Sequence, residues 1–488
     1  MMNIRNRFSG IVNVMLILFL SVLYSCKHTS YNTDSNARLR FSTQVLTFDT
    51  IFTSVSSITR TLKVYNPYNA AIKTDIALVG GSSSYYSINI DGVACRQAQE
   101  VEIAAKDSIF IFVKINIPPN QSDLPMLVAD TLAFYTNGNR QNVDLLAFGQ
   151  DAHFILPQAI YATPDGQGGV AGNIVAHQGE TVHWTADRPY VIYGYAIIDS
   201  SATLIIEPGT RIYLHKNSGI WAYIGSSFQV KGTLDQPVTF QGDRTEAWYQ
   251  DDYSQWDRIW LCESDRNHEI SHAVISNAYI GIQAETIGNT MLGNTLLVQN
   301  TTIKKTELYG IYARSYHIQA YNNEIINSKQ ACVCLSAGGV YDFFHNTVYN
   351  AISAQRTMPA VVISNCDISA DVNGRVSYGD CYAQLKNNII YGTADNELYT
   401  TYINDAVMDL QLDYCLLKIK SSSLDTIPHG NNLLQNKNPL FKKTAKDDYD
   451  LSLSESSPCK SAGIYLPQVS SDKSSMPRSN PPTIGAHE

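Results

Sequence analysis

Ile275-Ser276-Asn277-Ala278, Ile325-Ile326-Asn327-Ser328, Val348-Tyr349-Asn350-Ala351 and Ile363-Ser364-Asn365-Cys366 repeat one pattern: an aliphatic residue followed two positions later by Asn. Ile303-Lys304-Lys305-Thr306 and Ile390-Tyr391-Gly392-Thr393 are looser copies. The aliphatic anchors at 275, 303, 325, 348, 363 and 390 are separated by 28, 22, 23, 15 and 27 residues. A β-rich period of roughly 20–30 residues is the mark of a solenoid. One coil cannot bury its apolar face alone, whereas stacked coils bury a continuous core, and Asn at a fixed corner can bond to the Asn of the next coil. Helical repeats of this length need apolar residues three and four apart. These segments instead alternate and are rich in Val, Ile, Tyr and Asn. The predicted fold class is all-β.

Outward from these repeats, LIIEPGTRIYL (204–214), FQVKGTLDQPVTFQGDR (228–244), QWDRIWL (255–261), GIYARSYHIQAYNNEIINS (310–328) and GGVYDFFHNTVYNA (338–351) resemble coils of right-handed parallel β-helix proteins, the pectate-lyase-like superfamily. DYDLSLSESSPCKSAG (448–463) and PPTIGAHE (481–488) resemble the closing segment of secreted members. The resemblance implies a right-handed parallel β-helix over 156–445 and a closing segment over 446–488. It implies no single activity, because the fold hosts lyases, hydrolases, adhesins and scaffolds.

Residues 39–155 read as short alternating strands punctuated by Asn-Pro, Gly-Gly and Pro-Pro, the pattern of a β-sandwich. LTFDTIFTSVSSITRTLKVYNPYNAAI (46–72) and VEIAAKDSIFIFVKI (101–115) resemble the immunoglobulin-like domains of the abnormal-spindle and hydin type, with Asn66 as the marker at a strand end. Such domains are spacers or interaction modules.

At the start of the chain, Arg5 and Arg7 precede a short apolar run, Ile11–Leu23, the layout of a secretory signal over 1–25. Leu23-Tyr24-Ser25-Cys26 resembles a bacterial lipobox, with Tyr24 bulkier than usual. That resemblance implies lipidation of Cys26, a membrane partner through that lipid, and a place in the bacterial cell envelope, at the outer membrane. Two or three acyl chains anchor stably where one is marginal. Polar residues 26–38 read as a flexible tether.

The chain carries 35 basic and 44 acidic residues, a net charge of −9; losing 1–25 removes Arg5 and Arg7 and leaves −11. This balance argues against a nucleic-acid partner, which needs clustered cations. Eight cysteines follow Cys26 with no CxxC pair, and they read as small buried apolar residues. Cys332 and Cys334 have strand spacing, which predicts thiols facing the same way.

Four stretches tempt a chemical reading. His268-Glu269-Ile270-Ser271-His272 fits the zinc-protease motif, but the segment reads as a strand, where residues four apart lie about 13 Å apart and cannot share a zinc. No metal is expected there. The loop Trp248, Tyr249, Asp251, Asp252 and Tyr253 offers aromatics and carboxylates for a sugar, against the alternative that it packs back on the solenoid. Trp260, in an alternating strand nearby, reads as core. Asp342 and His345 are a candidate acid–base pair only if a turn separates them, since in a strand they face opposite sides. Polygalacturonase-like enzymes carry Asn-Thr-Asp, Asp-Asp, Gly-His-Gly and Arg-Ile-Lys on successive coils. Here Asn32-Thr33-Asp34 falls in the tether, Asp251-Asp252 and Asp447-Asp448 do not match by position, and the last two motifs are absent. Calcium enters only through the likeness to lyases, with no ligand motif behind it, and no cofactor is expected.

The sequence therefore predicts a lipid-anchored envelope protein presenting a β-helix for recognition of an extended glycan. A polysaccharide lyase or glycoside hydrolase, and a structural or adhesion part, remain the rivals. Cys26→Ala should abolish fatty-acid labelling and release the protein from membranes; unchanged membrane fractionation would refute the anchor.

Overall fold

The computed structural model describes residues 30–52, 59–118, 126–164, 166, 168–244, 249–287, 296–352, 356–368, 376–420, 430–445 and 448–488. Two compact units, Met1–Asp151 and Ala152–Glu488, divide the chain.

The first unit is a β-sandwich. One sheet runs Arg40–Phe41, Arg60–Tyr65, Ser108–Ile115, Tyr86–Ile90, Val93–Cys95, all antiparallel. The other runs Val45–Phe52, Asn139–Gln150, Met126–Thr136, Ile72–Leu78, Gln97–Ile103, with only the first pair parallel. Alternation sends Leu62, Val64, Ile111 and Val113 into one core with Ile76, Phe134 and Leu145 of the opposite sheet. Asn66 is buried at the end of its strand. Its Nδ2 lies within 3.0 Å of the Ala70, Ile103 and Ala104 carbonyls, and its Oδ1 accepts the Tyr68 amide at 3.0 Å, which pins the turn.

The expected tether is largely part of this unit. Tyr31 bridges Ala71, the Asn32 amide donates to the Ala71 carbonyl at 2.7 Å, and Ala37 and Leu39 are buried. Asn137 donates to the carbonyls of Asn32 and Asp34. Two small apolar side chains at alternate positions are enough to seat a segment whose polar composition suggests a free linker. Cys26 lies outside the described residues.

The second unit is a parallel β-helix with three strand faces per coil. Gly219–Ala222, Trp256–Cys262 and Ala278–Glu285 stack on the first face. Ser227–Lys231, His268–Ser271 and Leu296–Gln299 stack on the second. Val238–Gly242, Ala273–Ser276 and Thr302–Thr306 stack on the third. The long strands Tyr309–Tyr321 and Ala331–Phe344 run through the first and second faces together. On the third face Tyr190, Ile212, Phe240, Ile275, Ile303, Ile325, Val348, Ile390 and Leu417 stand in one buried column. Five of the six sequence anchors belong to it. Ile363 does not: it lies on the first face, paired with Leu335 and Thr400. Val348 pairs directly with Ile390, so the gaps of 15 and 27 residues are one long coil.

The asparagine ladder exists, but four residues earlier than the repeat suggested. Between the second and third faces the chain turns in two residues. The first is left-handed: His272, Asn300, Asn322, His345, Asn387 and Tyr414 all have φ between 48° and 57°. From Thr301 onward the second residue is polar, giving a column Thr301, Asn323, Asn346, Asn388, Cys415, every member buried. Asn323 Nδ2 donates to Asn346 Oδ1 at 2.9 Å, and Asn346 Nδ2 to Asn388 Oδ1 at 3.1 Å. Each Oδ1 also accepts the backbone amide of the preceding coil's corner, from Thr301, Asn323 and Asn346. The asparagines picked out by the repeat hold other things: Asn277 the carbonyls of Gln250 and Asp252, Asn327 the Tyr449 hydroxyl, Asn350 the Ser328 carbonyl and Asn365 the carbonyls of Ile403 and Ala406.

Cys332 and Cys334 part company, contrary to the strand rule: Cys332 joins the interior cluster, while Cys334 packs with Ala331 and Val362 in another. All eight described cysteines are free thiols. The segment after 446 folds back along the flank, where Ile464 N–H donates to Asn387 Oδ1, Arg478 to Asn322 Oδ1, Ala486 N–H to Thr347 Oγ1, and Lys473 and His487 both engage Glu324.

Asn346→Leu removes the central rung and orphans the buried backbone amide of Asn323. It should destabilise the protein by about 3 kcal/mol, read as a lower urea midpoint at unchanged slope. A loss below about 1 kcal/mol would show that the rung is dispensable.

Candidate functional site

Both tempting histidine motifs resolve into corner chemistry. His268 points into the solenoid, its Nδ1 accepting the Phe228 amide at 3.0 Å; Glu269 pairs with Lys231 at 2.5 Å on the outside; and His272 is a left-handed corner residue. His345 occupies the same kind of corner, fully buried, with Nε2 against Asn387 Nδ2 at 2.8 Å. Burial, with Arg478 close by, holds its imidazole well below the ordinary histidine range. Asp342 is not among its partners, so the Asp342–His345 pair is not formed. The imidazole that feels Asp342 is His317, one coil earlier. Among the described residues no group of three or more His, Cys, Asp or Glu is placed to hold a metal.

The loop singled out for sugars is engaged inward. The Arg244 guanidinium lies 3.9 Å from the Tyr249 ring centroid, Lys329 lies 4.8 Å from that of Tyr253, and Asp251 pairs with Lys305 at 2.5 Å. Asp252 is exposed while its carbonyl serves Asn277. A recess of about 270 Å³ remains between Arg244, Asp251, Asn277 and Lys304. Trp248 lies outside the described residues.

The second face presents a different surface. Strand register places four outward rows on successive coils: His317, Gln319, Tyr321; Val340, Asp342, Phe344; Tyr382, Gln384, Lys386; Asp409, Gln411, Asp413. The middle column is Gln319, Asp342, Gln384, Gln411. None of these four side chains makes a hydrogen bond or ion pair with another described residue, whereas the outward Glu269 and Lys231 of earlier coils are paired. Tyr321 and Phe344 stack at 5.4 Å and 5°, covered by Leu466 and Val469 of the folded-back segment, which borders the field on that side. Tyr382 is 44 % exposed at the other. Asp342 was the only member of the middle column that sequence reasoning found. The missed signal is a polar residue four positions before each ladder residue from Asn323 onward: Gln319 before Asn323, Asp342 before Asn346, Gln384 before Asn388 and Gln411 before Cys415.

The first face carries a closed network. Trp260 is core as expected, but in a smaller cluster with Tyr195, Ile197 and Cys262, stacked on Trp221 with centroids 5.0 Å apart, while Trp256 belongs to the main interior cluster and donates to the Ser276 carbonyl. Trp260 Nε1 donates to Glu285 Oε1 at 2.5 Å and Gln283 Nε2 to the same oxygen at 2.8 Å. Arg258 joins Gln283 Oε1 to Asp257, which accepts the Tyr195 hydroxyl. Arg314 pairs with Asp367 at 3.0 Å. Burial holds the Glu285 carboxyl above the usual carboxylate range. Trp221 and Trp260 are only 1 % and 8 % exposed, so their faces are not open for stacking.

No protein-family model matches the chain, and no curated protein matches it. Among solved structures, a family 123 glycoside hydrolase from Clostridium perfringens shares 9 % identity at a TM-score of 0.16, over 29 % of this chain and 26 % of its own. The catalytic domain of a GH87 α-1,3-glucanase in complex with nigerose shares 11 % identity at a TM-score of 0.18, over 78 % and 82 %. The chain spans about a quarter of the first of these proteins. Both likenesses are weak and carry no weight for the site.

His268 gives this region a pH dependence. Burial lowers its pKa from 6.5 to about 4. Between these values the unfolded chain takes up a proton that the folded chain refuses, so stability falls as pH drops from 6.5 to about 4 and levels off below. The loss should be roughly 3 kcal/mol. His268→Gln should fall less steeply over that window; an unchanged pH profile of the melting midpoint would show that folding does not shift the His268 pKa.

Proposed function

We propose that this is a lipid-anchored envelope protein that recognises an extended, neutral glycan lying along the second face. The observation that carries this reading is the column Gln319, Asp342, Gln384, Gln411: four outward polar side chains on successive coils with no hydrogen bond or ion pair to another described residue. Coils repeat every 4.7–4.9 Å or so, so a polymer along the stack meets them in turn. Each amide offers donors and an acceptor to sugar hydroxyls. Tyr382 adds an open ring. Asp342, Asp409 and Asp413 outnumber Lys386, which disfavours uronate or sulfated chains. The earlier candidates Tyr249, Asp251 and Tyr253 are engaged with cations of their own unit and are secondary in this reading.

A second reading rests on Glu285. A carboxyl whose pKa burial raises and which Trp260 and Gln283 orient has the character of a proton donor to a glycosidic oxygen. New reducing ends appearing with time from a polysaccharide, and lost in Glu285→Gln, would favour hydrolysis over binding alone.

The binding reading is tested by titrating the protein with a panel of neutral and acidic polysaccharides. Gln319→Ala and Gln384→Ala should each weaken the neutral ligand by about fivefold to tenfold, the worth of one hydrogen bond, while Asp251→Ala leaves it unchanged. A Gln319→Ala/Gln384→Ala/Gln411→Ala protein that binds as tightly as the wild type would sink this face as the site.

A further inference from the structure

The two sheets of the sandwich carry opposite charge. The five strands Arg40–Phe41, Arg60–Tyr65, Tyr86–Ile90, Val93–Cys95 and Ser108–Ile115 hold Arg40, Arg60, Lys63 and Lys114 and no Asp or Glu. The opposite five hold Lys73 and Arg140 against Asp49, Asp75, Glu100, Glu102, Asp130 and Asp144. In a chain of net charge −9 the first sheet is a local exception. Its outer surface is also aromatic. Phe110 and Phe112 are 47 % and 41 % exposed, Tyr65 is exposed, and Lys63 Nζ sits 5.0 Å from the Tyr65 centroid and 5.1 Å from that of Phe110. Beside them a recess of about 530 Å³ opens between Thr59, Ser87, Asn89, Phe112 and Lys114.

We propose that this face lies against an anionic lipid headgroup surface. Aromatic rings interleaved with lysine suit the membrane interface, and cations near it gain from anionic lipid. The place of the chain's start favours the same partner. Residues from Ser30 onward are fixed to the sandwich: Tyr31 bridges Ala71 and its hydroxyl donates to Glu102 on the acidic sheet, and further along Arg40 pairs with Tyr65 at the edge of the cationic sheet. Only four residue steps separate Cys26 from Ser30, a reach of about 14 Å at most. A lipid on Cys26 therefore holds the sandwich close to the headgroups, and the carboxylate-free sheet is the one it can present without repulsion. The inference rests on the lipid-anchor reading for its setting, while the face itself is independent of it.

The test uses the chain from Lys27 onward, which retains every described residue, sedimented with vesicles of phosphatidylcholine alone or mixed with phosphatidylglycerol. Binding should require phosphatidylglycerol and fade at about 0.5 M salt, where screening reaches a few ångströms. Lys63→Ser/Lys114→Ser should lower partitioning roughly 25-fold, and Phe110→Ser/Phe112→Ser by about tenfold or more, with the melting midpoint unchanged because these side chains are exposed. Equal binding to both vesicles, no binding, or double variants that bind like the wild type would each overturn the proposal. Acyl labelling at Cys26 in cells is read separately. Labelling without a vesicle preference removes the docking face and keeps the anchor. A vesicle preference without labelling does the reverse.

Discussion

Everything in the second unit depends on turning a buried chain through a sharp corner without leaving an amide unpaired. Buried backbone polar groups without a partner are costly, and a two-residue corner has too few atoms to satisfy itself. The solution is division of labour. One residue adopts the left-handed conformation that makes the turn tight, and the next turns inward to bond the neighbouring coils. Asn suits both tasks, since it tolerates positive φ and carries a donor and an acceptor on one short stem. Thr301 and Cys415 end the column where the demand is partial.

That corner also explains the chemistry that is not there. His272 and His345 look catalytic in sequence because each stands within four residues of an acid, yet both fill the left-handed position that Asn300, Asn322 and Asn387 fill elsewhere. The same register sends the residue three before that position outward, as with Asp342 before His345. A structural repeat facing inward thus imposes a repeat of polar side chains facing outward, and the surface offered to a ligand inherits the spacing of the coils.

The legible part of the fold was its period. Aliphatic anchors at 275, 303, 325, 348 and 390 are the column that the structure builds, because burial on a single face leaves a strong signal. The ladder was misplaced by four residues, since asparagines flank the third-face strands at both ends and composition alone does not say which end turns inward. Ile363 was misassigned for a related reason: a coil with an extra excursion brings a similar tetrapeptide onto another face. Trp256 and Trp260 are both buried but in different clusters, because the strand pairing shifts between Arg258 and Ile259, which resets alternation. The open column on the second face was nearly invisible, because glutamine at a surface position has no intrinsic signature until the register is known.

Solenoids ordinarily melt like zippers, because each repeat touches only its neighbours and the ends can fray one coil at a time. The folded-back flank changes that topology here. Its last forty residues or so bond to Asn387, Glu324, Asn322 and Thr347, on three successive coils. Fraying from the carboxyl end must first peel away a strap whose hold is spread over the coils that follow. Such a brace converts a linear array into a cooperative block, and a rod that must keep a straight, rigid edge gains most from being laced along its side.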